Sequence, residues 1–297
     1  MRASIVLKPS ESKRLIAKAI AQKEEVKKAM ENAYIILAEG SINFMVAEEL
    51  FGLKIDPSDF ICGMVVDGVL CSSGLCSLDP RFKFKAGFVD STTPEISVTV
   101  PLVAYKGKVI DMKYEDAIND FHLDTVIIKG GNAVDREGNV GVIIAGYDGG
   151  FISKVFGHTV SQGVKLITPI GLEKSVFSVP EAAKYTGGKR FDYSMGEDYG
   201  LFVITTADVV TEIEALKLLT GADSYHVASG GIGGSEGAVV ISCEGNAESI
   251  DRVIKVIESV KGEPPIQKGR RQQCDSCRYV NCNYYRKEKD KLPQWMM

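Results

Sequence analysis

Three cysteines near the carboxyl end of the chain have a spacing that could hold a metal. Cys274 and Cys277 form a Cys-x2-Cys step, and Cys282 follows after four intervening residues. Thiolates bind soft metals, so this pattern, with one coordination position left open, predicts an iron–sulfur cluster or zinc. Candidates for the remaining ligand are Cys71, Cys76, His226 and an external group. The flanking arginines and lysines would lower the thiol pKa values and partly balance a negatively charged cluster. The alternative is a set of unligated thiols on a mobile tail.

Two glycine-containing turns follow short apolar runs and could bind an anion. The first is Gly40-Ser41-Ile42-Asn43 after the run 34–38, and the second is Gly130-Gly131-Asn132 after the run 125–129. Backbone N–H groups at a helix amino terminus attract anions, and glycine allows close approach to the backbone. The predicted ligand-binding residues are Gly40, Ser41, Asn43, Gly130, Gly131 and Asn132. Ordinary capping and connecting turns are the alternative.

Four charged residues beside such turns are candidates for acid, base or charge partner in a reaction. They are Lys129, Asp135, Asp148 and Glu173. Asp148 lies in the glycine-dense segment 146–150, whereas Asp135 also fits a simple turn over 135–139. No Ser-His-Asp or Cys-His set has a spacing that the sequence alone could support as a nucleophile triad.

The elements that must position these residues follow a parallel α/β pattern. The runs 34–38, 125–129 and 164–170 are typical of strands buried on both faces. Strand, glycine turn and helix in succession predict a mostly parallel sheet flanked by helices. The carboxyl ends of parallel strands form the usual ligand edge of an open sheet, so we expect the two glycine turns on one edge.

Residues 196–265 are predicted to form a smaller ferredoxin-like β-α-β-β-α unit after an α/β domain over 1–195. Its strands are expected at 201–205, 224–228 and 238–242, and its helices at 209–219 and 247–260. The glycine-rich link 229–237 is a hairpin loop or, alternatively, a lid over the pocket. Residues 266–297 form a basic tail that carries the three cysteines.

Composition bounds the setting of the protein. Hydrophobic residues make up 45% and charged residues 25% of the 297 residues, which is typical of a globular protein with a well-buried core. No apolar run approaches the roughly 20 residues of a membrane helix, and the first residues lack signal-peptide features. We therefore expect a cytoplasmic protein that is not bound to a membrane. The seven cysteines suit reduced thiols better than a disulfide framework.

Charge is distributed unevenly along the chain. Residues 267–297 carry eight Lys and Arg against three Asp and Glu, a net charge of +5, which leaves −9 for residues 1–266. An acidic body argues against nucleic acid as a general partner. Binding of RNA by the tail is the weakest hypothesis, and assembly into a homo-oligomer stays open.

Three stretches in this order resemble the superfamily of ribose phosphate isomerases, glucosamine phosphate deaminases and CoA transferases, which includes LUD-type proteins and initiation-factor-like sugar isomerases. They are residues 35–50, with the turn 39–43, residues 124–142, with the segments 130–135 and 138–140, and residues 164–176, with the segment 167–174. The resemblance covers roughly residues 10–190. The resemblance implies an isomerase/CoA-transferase-like fold. Asn132 stands where the sugar-phosphate isomerases place an acidic base, and an amide cannot abstract a proton. Glu39 or Glu173 could serve as the glutamate nucleophile of a CoA transferase.

These features lead to two functional hypotheses. The first is an enzyme or enzyme-derived protein that binds a small anionic metabolite, such as a sugar phosphate or an acyl-CoA, at the glycine turns. The second is a metal- or iron–sulfur-containing redox accessory protein that acts through the tail cysteines.

Overall fold

The computed structural model describes residues 1–62, 64–71, 83–90, 92–267 and 273–296. Cys76, one candidate metal ligand, lies outside the described residues. The strands are β1 Arg2–Leu7, β2 Tyr34–Leu37, β3 Leu53–Lys54, β4 Met64–Val66, β5 Val69–Cys71, β6 Lys83–Phe88, β7 Ile96–Thr99, β8 Leu102–Tyr105, β9 Lys108–Ile110, β10 Val126–Ile128, β11 Ala133–Val134, β12 Val140–Ile144, β13 Lys165–Pro169, β14 Gly200–Ile204, β15 Asp208–Val210, β16 Asp223–Ser229 and β17 Val239–Glu244. The helices are α1 Pro9–Gln22, α2 Glu24–Asn32, α3 Asn43–Phe51, α4 Pro57–Phe60, α5 Tyr114–Ala117, α6 Gly150–Gln162, α7 Val179–Lys184, α8 Glu212–Thr220 and α9 Ala247–Glu258.

The largest sheet has six strands in the order β15-β13-β10-β2-β8-β9. Its first four strands are parallel, with Ile128 opposite both Leu37 and Ile167. β8 pairs antiparallel with β2, and β9 pairs antiparallel with β8. The turn Lys106-Gly107, with positive φ at both residues, joins β8 and β9 as a hairpin. The strands predicted at 34–38, 125–129 and 164–170 are thus confirmed as neighbours in the parallel part.

Beyond this sheet, every strand pair in the described ranges is antiparallel. The remaining sheets have the orders β1-β17-β16, β11-β12-β14, β3-β6-β7 and β4-β5. The protein is therefore a mixed α/β protein, and parallel pairing is confined to four strands. The expected mostly parallel sheet did not include these small antiparallel sheets, which combine hairpins such as β4-β5 with pairs of strands far apart in the chain such as β1-β17.

The ferredoxin-like unit predicted for 196–265 is wrong in its first strand. β14 pairs with β12, and β15 joins the parallel sheet beside β13. The edge of the small sheet is taken instead by β1, whose Arg2 lies opposite Glu244 and whose Leu7 lies opposite Val239. This pairing joins residues from two of the predicted segments. Both helices and the two later strands of the unit form close to their expected positions.

Side chains of the central strands alternate between two hydrophobic clusters, one on each face of the six-stranded sheet. Ile35 and Leu37 belong to the cluster that includes α1, α3 and α8. Tyr34 and Ile36 belong to the cluster that includes α6, β12 and β14. The period of two along β2 therefore places the sheet as the middle of three layers.

The carboxyl-terminal segment 273–296 is docked rather than solvated. Asp198 donates its backbone N–H to the carbonyl of Asn281 at 2.8 Å, and the amide of Asn283 donates to the carbonyl of Ser194 at 2.6 Å. Gly196 in turn lies against β5, so closely that a Cβ there would approach the Leu70 carbonyl oxygen to 2.0 Å. Residues 194–198 therefore connect the tail to β5.

Among the helices of the described ranges, none has the length and apolar character that crossing a bilayer requires.

Leu37→Ala is expected to lower the free energy of unfolding by about 2–5 kcal/mol, because truncation leaves a cavity in the core. Leu37 is 0% exposed, whereas Leu123 is 73% exposed. Leu123→Ala is the matched control and should change stability by no more than about 0.5 kcal/mol. Urea unfolding followed by circular dichroism measures both. Equal losses in the two variants would contradict the burial of Leu37.

Candidate functional site

The carboxyl ends of β2, β10, β13 and β15 meet at one edge of the main sheet, because the four strands are parallel and in register. The turns 40–43 and 130–132 therefore lie on the same edge. Asn43 is fully buried between them and donates its side-chain amide to the carbonyls of Ala38 at 2.7 Å and Ile128 at 3.2 Å. It ties the ends of β2 and β10 together, so its amide is not available to a ligand.

A cavity of about 650 Å³ opens beside this edge. The residues that line it after the ends of β2 and β10 are Glu39, Lys129 and Asn132. It is also lined by Cys62, which follows α4, and by Cys71, the last residue of β5. The turn 146–150 before α6 and the tail residues 278–281 also line it. Segments far apart in the chain thus enclose one space of the size that small-molecule sites usually have.

The turn before α6 and the tail also contact each other. The hydroxyl of Tyr147 donates a hydrogen bond to the side-chain carbonyl oxygen of Asn281 at 2.7 Å. This bond joins two sides of the cavity wall, so the tail belongs to the site.

Lys129 is a charged group of the cavity wall whose pKa is shifted by its surroundings. Its side chain is half-buried, and Nζ donates to the carbonyl of Gly130 at 3.3 Å. Burial lowers the pKa of Lys129, although the negative charges of Glu39 and Cys62 oppose that shift. Oε2 of Glu39 is itself buried and has no hydrogen-bond partner among the described residues. An amine and a carboxylate oxygen therefore lie in one cavity without the pairing that would fix them.

Asn132 and Asp148 also line the cavity, as predicted ligand-binding and catalytic residues. Asn132 accepts the backbone N–H of Ile143 at 2.9 Å through its side-chain oxygen. Asp148 accepts the N–H of Gly150 at 3.0 Å and lies 3.3 Å from Lys154. These two contacts lower the pKa of Asp148, with the Gly150 bond as the larger cause. Both side chains therefore line the cavity and also hold the backbone of its wall in place through these hydrogen bonds.

Other predicted ligand-binding residues do not border the cavity. Gly40, Ser41, Gly130 and Gly131 are absent from its lining. A Cβ at Gly131 would lie 2.3 Å from Cγ1 of Val140, so the missing side chain serves close packing against β12. At Gly131, the structure gives a packing reason for glycine where the sequence suggested close approach of a ligand.

Asp135 does not reach the cavity and has a structural environment. Its oxygens accept the N–H of Asn139, the side-chain amide of Asn139 and the N–H of Val179, each at 2.9 Å. Burial alone would raise the pKa of Asp135, but these hydrogen bonds outweigh burial and lower it. The carboxylate joins the turn 135–139 to the start of α7.

Glu173 likewise lies outside the cavity lining. It forms an ion pair with Lys13 at 3.1 Å. Next to it, Lys174 donates Nζ to the carbonyl of Gly131 at 2.8 Å, and burial lowers the pKa of Lys174 to about 8. The glycine-rich loop does not border the cavity either, since Gly237 packs against Pro9 and Glu173.

Two cations that the sequence did not single out as site residues line the exposed side of the cavity. They are Lys113 and Arg278, and neither side chain forms a hydrogen bond or ion pair with a described residue. No local signal marks Lys113. Arg278 follows Cys277 directly, but its position on the cavity depends on the docking of the tail.

The tail cysteines have a different environment from the one expected. Cys277 is buried, and burial raises the pKa of its thiol and raises that of Cys282 to about 11. The expected lowering by basic neighbours is wrong for these two thiols, because loss of hydration and the negative charge of Glu197 raise their pKa values. Across the described ranges, no group of three or more His, Cys, Asp and Glu could hold a metal ion. The metal site at Cys274, Cys277 and Cys282 stays a prediction.

No family model, no curated protein and no solved structure matches this chain. The resemblance to sugar-phosphate isomerases and CoA transferases therefore also stays a prediction, and the site must be interpreted from its own geometry.

Asp135→Asn is expected to lower the free energy of unfolding by about 1–3 kcal/mol at pH 7, because an amide nitrogen would face a backbone donor. The folded-state pKa of Asp135 lies below its ordinary 3.8. Its contribution is therefore present above that value and is lost as the pH falls through the folded-state pKa.

The difference in stability between the wild type and Asp135→Asn should accordingly shrink in acid. Urea unfolding at several pH values between about 2 and 7 measures it. Glu137→Gln, in the same turn and exposed, is the control and should show no such difference. A pH-independent loss in Asp135→Asn would contradict the role assigned to the carboxylate.

Proposed function

We propose that this protein is an enzyme or an enzyme-derived protein that binds a small anionic metabolite in the cavity beside the carboxyl edge of its parallel strands. The observation that carries the proposal is the combination found there. Lys129 and Glu39 face the cavity without an ion pair to a described residue, and the cations Lys113 and Arg278, which have no partner in the described ranges either, line its exposed side.

The unpaired cations favour an anion. A guanidinium presents a planar set of donors that matches phosphate or carboxylate, and an ammonium adds a point charge. Neither Lys113 nor Arg278 has a carboxylate to neutralise it among the described residues, so an arriving anion would not have to displace an existing partner. Binding at these side chains would also explain their position on the cavity.

Carboxylates on the same wall narrow the ligand class. Glu115, Asp148 and Glu197 line the cavity together with the cations. A ligand with a phosphate and several hydroxyl groups satisfies both sets, because hydroxyls donate to carboxylates while phosphate accepts from cations. This favours a sugar phosphate over an acyl-CoA, whose acyl and pantetheine chains offer fewer hydroxyl donors.

Lys129 and Glu39 would supply the chemistry. Catalytic acids and bases work best when their pKa values lie near the ambient pH, and burial moves the pKa of Lys129 in that direction. The free oxygen of Glu39 gives a second site for a proton. Both groups come from strand ends that the sheet holds rigid.

A second candidate is the metal- or iron–sulfur-containing redox accessory protein. It is favoured by the position of the cysteines: Cys62 and Cys71 line the cavity, and Cys277 and Cys282 are packed in the docked tail next to Glu197. The remaining ligands of any cluster would have to come from outside the described residues or from rearrangement.

Metal analysis of protein purified without oxygen tests this second candidate. Bound iron with visible absorption, or zinc released on denaturation, and its loss in Cys277→Ser would support it. Cys243→Ser is the control, because Cys243 is buried in β17 and distant in sequence from the tail. Colourless, metal-free protein would eliminate the cofactor.

Thermal unfolding with a panel of sugar phosphates and acyl-CoAs tests the leading proposal. A ligand present at about 100 times its Kd should stabilise the protein by about 2.7 kcal/mol, which appears as a rise in Tm. Lys113→Ala/Arg278→Ala should abolish that rise, because it removes the unpaired cations.

The control for this double variant is Arg136→Ala/Lys184→Ala. Both residues are exposed and paired with neighbouring glutamates away from the cavity, so the rise in Tm should persist. No stabilisation by any member of the panel, or equal stabilisation of the cavity double variant, would contradict anion binding at this site.

A further inference from the structure

We propose that Lys129 is a nucleophilic amine that forms an imine with the carbonyl group of an anionic aldehyde or ketone bound in the cavity. The inference rests on the proposed function, because the same cavity must admit the anion. It adds the class of substrate, a phosphorylated or carboxylated carbonyl compound, and the atom that reacts with it.

The position of Lys129 suits this role. It follows the last residue of β10 at the carboxyl edge of the sheet, where Asn43 fixes the end of the strand. Its Nζ contacts one carbonyl oxygen, that of Gly130, and forms no ion pair with a described residue. An amine that is free of a carboxylate can lose its proton and present a lone pair.

The other lysines on the cavity wall lack this combination. Lys154 is exposed and forms an ion pair with Asp148 at 3.3 Å. Lys113 is exposed as well. Of the three, Lys129 is the one that is half-buried and has no ion pair with a described residue, and burial lowers its pKa.

Imine formation balances without an oxidant or reductant. Nζ attacks the carbonyl carbon, the C–N bond forms, and the π electron pair moves to the oxygen. The oxygen takes a proton and the nitrogen loses one, which gives a neutral carbinolamine with a lone pair on nitrogen. A second proton, supplied from solvent, reaches that oxygen, the C–O bond breaks with its electron pair, and water leaves. The nitrogen lone pair then forms the C=N bond of a protonated imine.

Glu39 can carry the protons in this sequence. Its buried Oε2 has no hydrogen-bond partner in the part of the chain that the structure describes, and its charge acts on Lys129. It can accept the proton that the attacking nitrogen loses and return it to the departing oxygen. Lys113 and Arg278 would hold the anionic group of the substrate at the exposed side.

Lys174 provides a control within the same protein. Burial lowers its pKa to about 8, yet Nζ donates to the Gly131 carbonyl at 2.8 Å and does not line the cavity. Lowered basicity alone would make both lysines reactive, whereas the inference requires reaction at Lys129 only.

Labelling with pyridoxal 5′-phosphate, an anionic aldehyde, followed by borohydride reduction and peptide mass mapping tests the inference. At neutral pH and short times, Lys129 should be labelled at least about tenfold faster than Lys174 and the exposed lysines. Lys129→Arg should lose the fast labelling and Lys174→Arg should keep it, with both variants first shown to unfold like the wild type. Labelling spread over the exposed lysines, with no preference for Lys129, would overturn the inference.

Labelling with pyridoxal, which lacks the phosphate, distinguishes failure of the reactive amine from failure of the anion site. Slower labelling of Lys129 by pyridoxal, with the difference lost in Lys113→Ala/Arg278→Ala, supports both the amine and the anion site. Equal labelling by the two aldehydes keeps the reactive amine and contradicts the anion site. Stabilisation by anions without labelling of Lys129 contradicts the amine and keeps the anion site.

Discussion

The parallel register of β2, β10, β13 and β15 is the constraint on which the rest of the site depends. Because the four strands run in the same direction, the segments that follow them leave the sheet at one edge. Asn43 strengthens this arrangement by joining the carbonyls of Ala38 and Ile128. Glu39 and Lys129, which come next along each strand, are thereby placed beside the same cavity.

Closure of the cavity depends on a second set of contacts, between segments far apart in the chain. The strand β5 forms backbone hydrogen bonds with residues 195–197. Residues 196–198 in turn form backbone hydrogen bonds with Asn281 and Asn283 of the tail. A hydrogen bond from Tyr147 to Asn281 also joins the turn before α6 to the tail. The tail therefore brings Arg278 to the cavity, and any change that detaches the tail should open the site and remove a cation together.

The buried strands and the edge they share could be predicted from the sequence, because runs such as 34–38 are apolar on both faces and end at glycine turns. Lys129, Asn132 and Asp148 were found for the same reason, since they follow strands or precede a helix. The hydrogen-bond partners of each polar group could not be predicted. Asp135 accepts a hydrogen bond from the backbone of Val179, 44 residues away. Asn43 donates hydrogen bonds to two carbonyls at the strand ends.

Long-range pairing accounts for the other differences. Nothing in the local pattern of Arg2–Leu7 indicates that it pairs with Val239–Glu244, so the small unit received the wrong first strand. In the same way Lys113 and Arg278 carry no motif, and they become site residues through the fold alone. Thiol pKa values were misjudged because nearby charge is visible in a sequence, whereas burial of Cys282 is not.

A crystal structure of the protein grown with a sugar phosphate that stabilises it would test the central claim most directly. We expect electron density for the ligand inside the cavity, with its phosphate at Lys113 and Arg278 and its reactive carbon near Lys129. A ligand bound elsewhere, or side chains filling the space between Lys129 and Arg278, would contradict it.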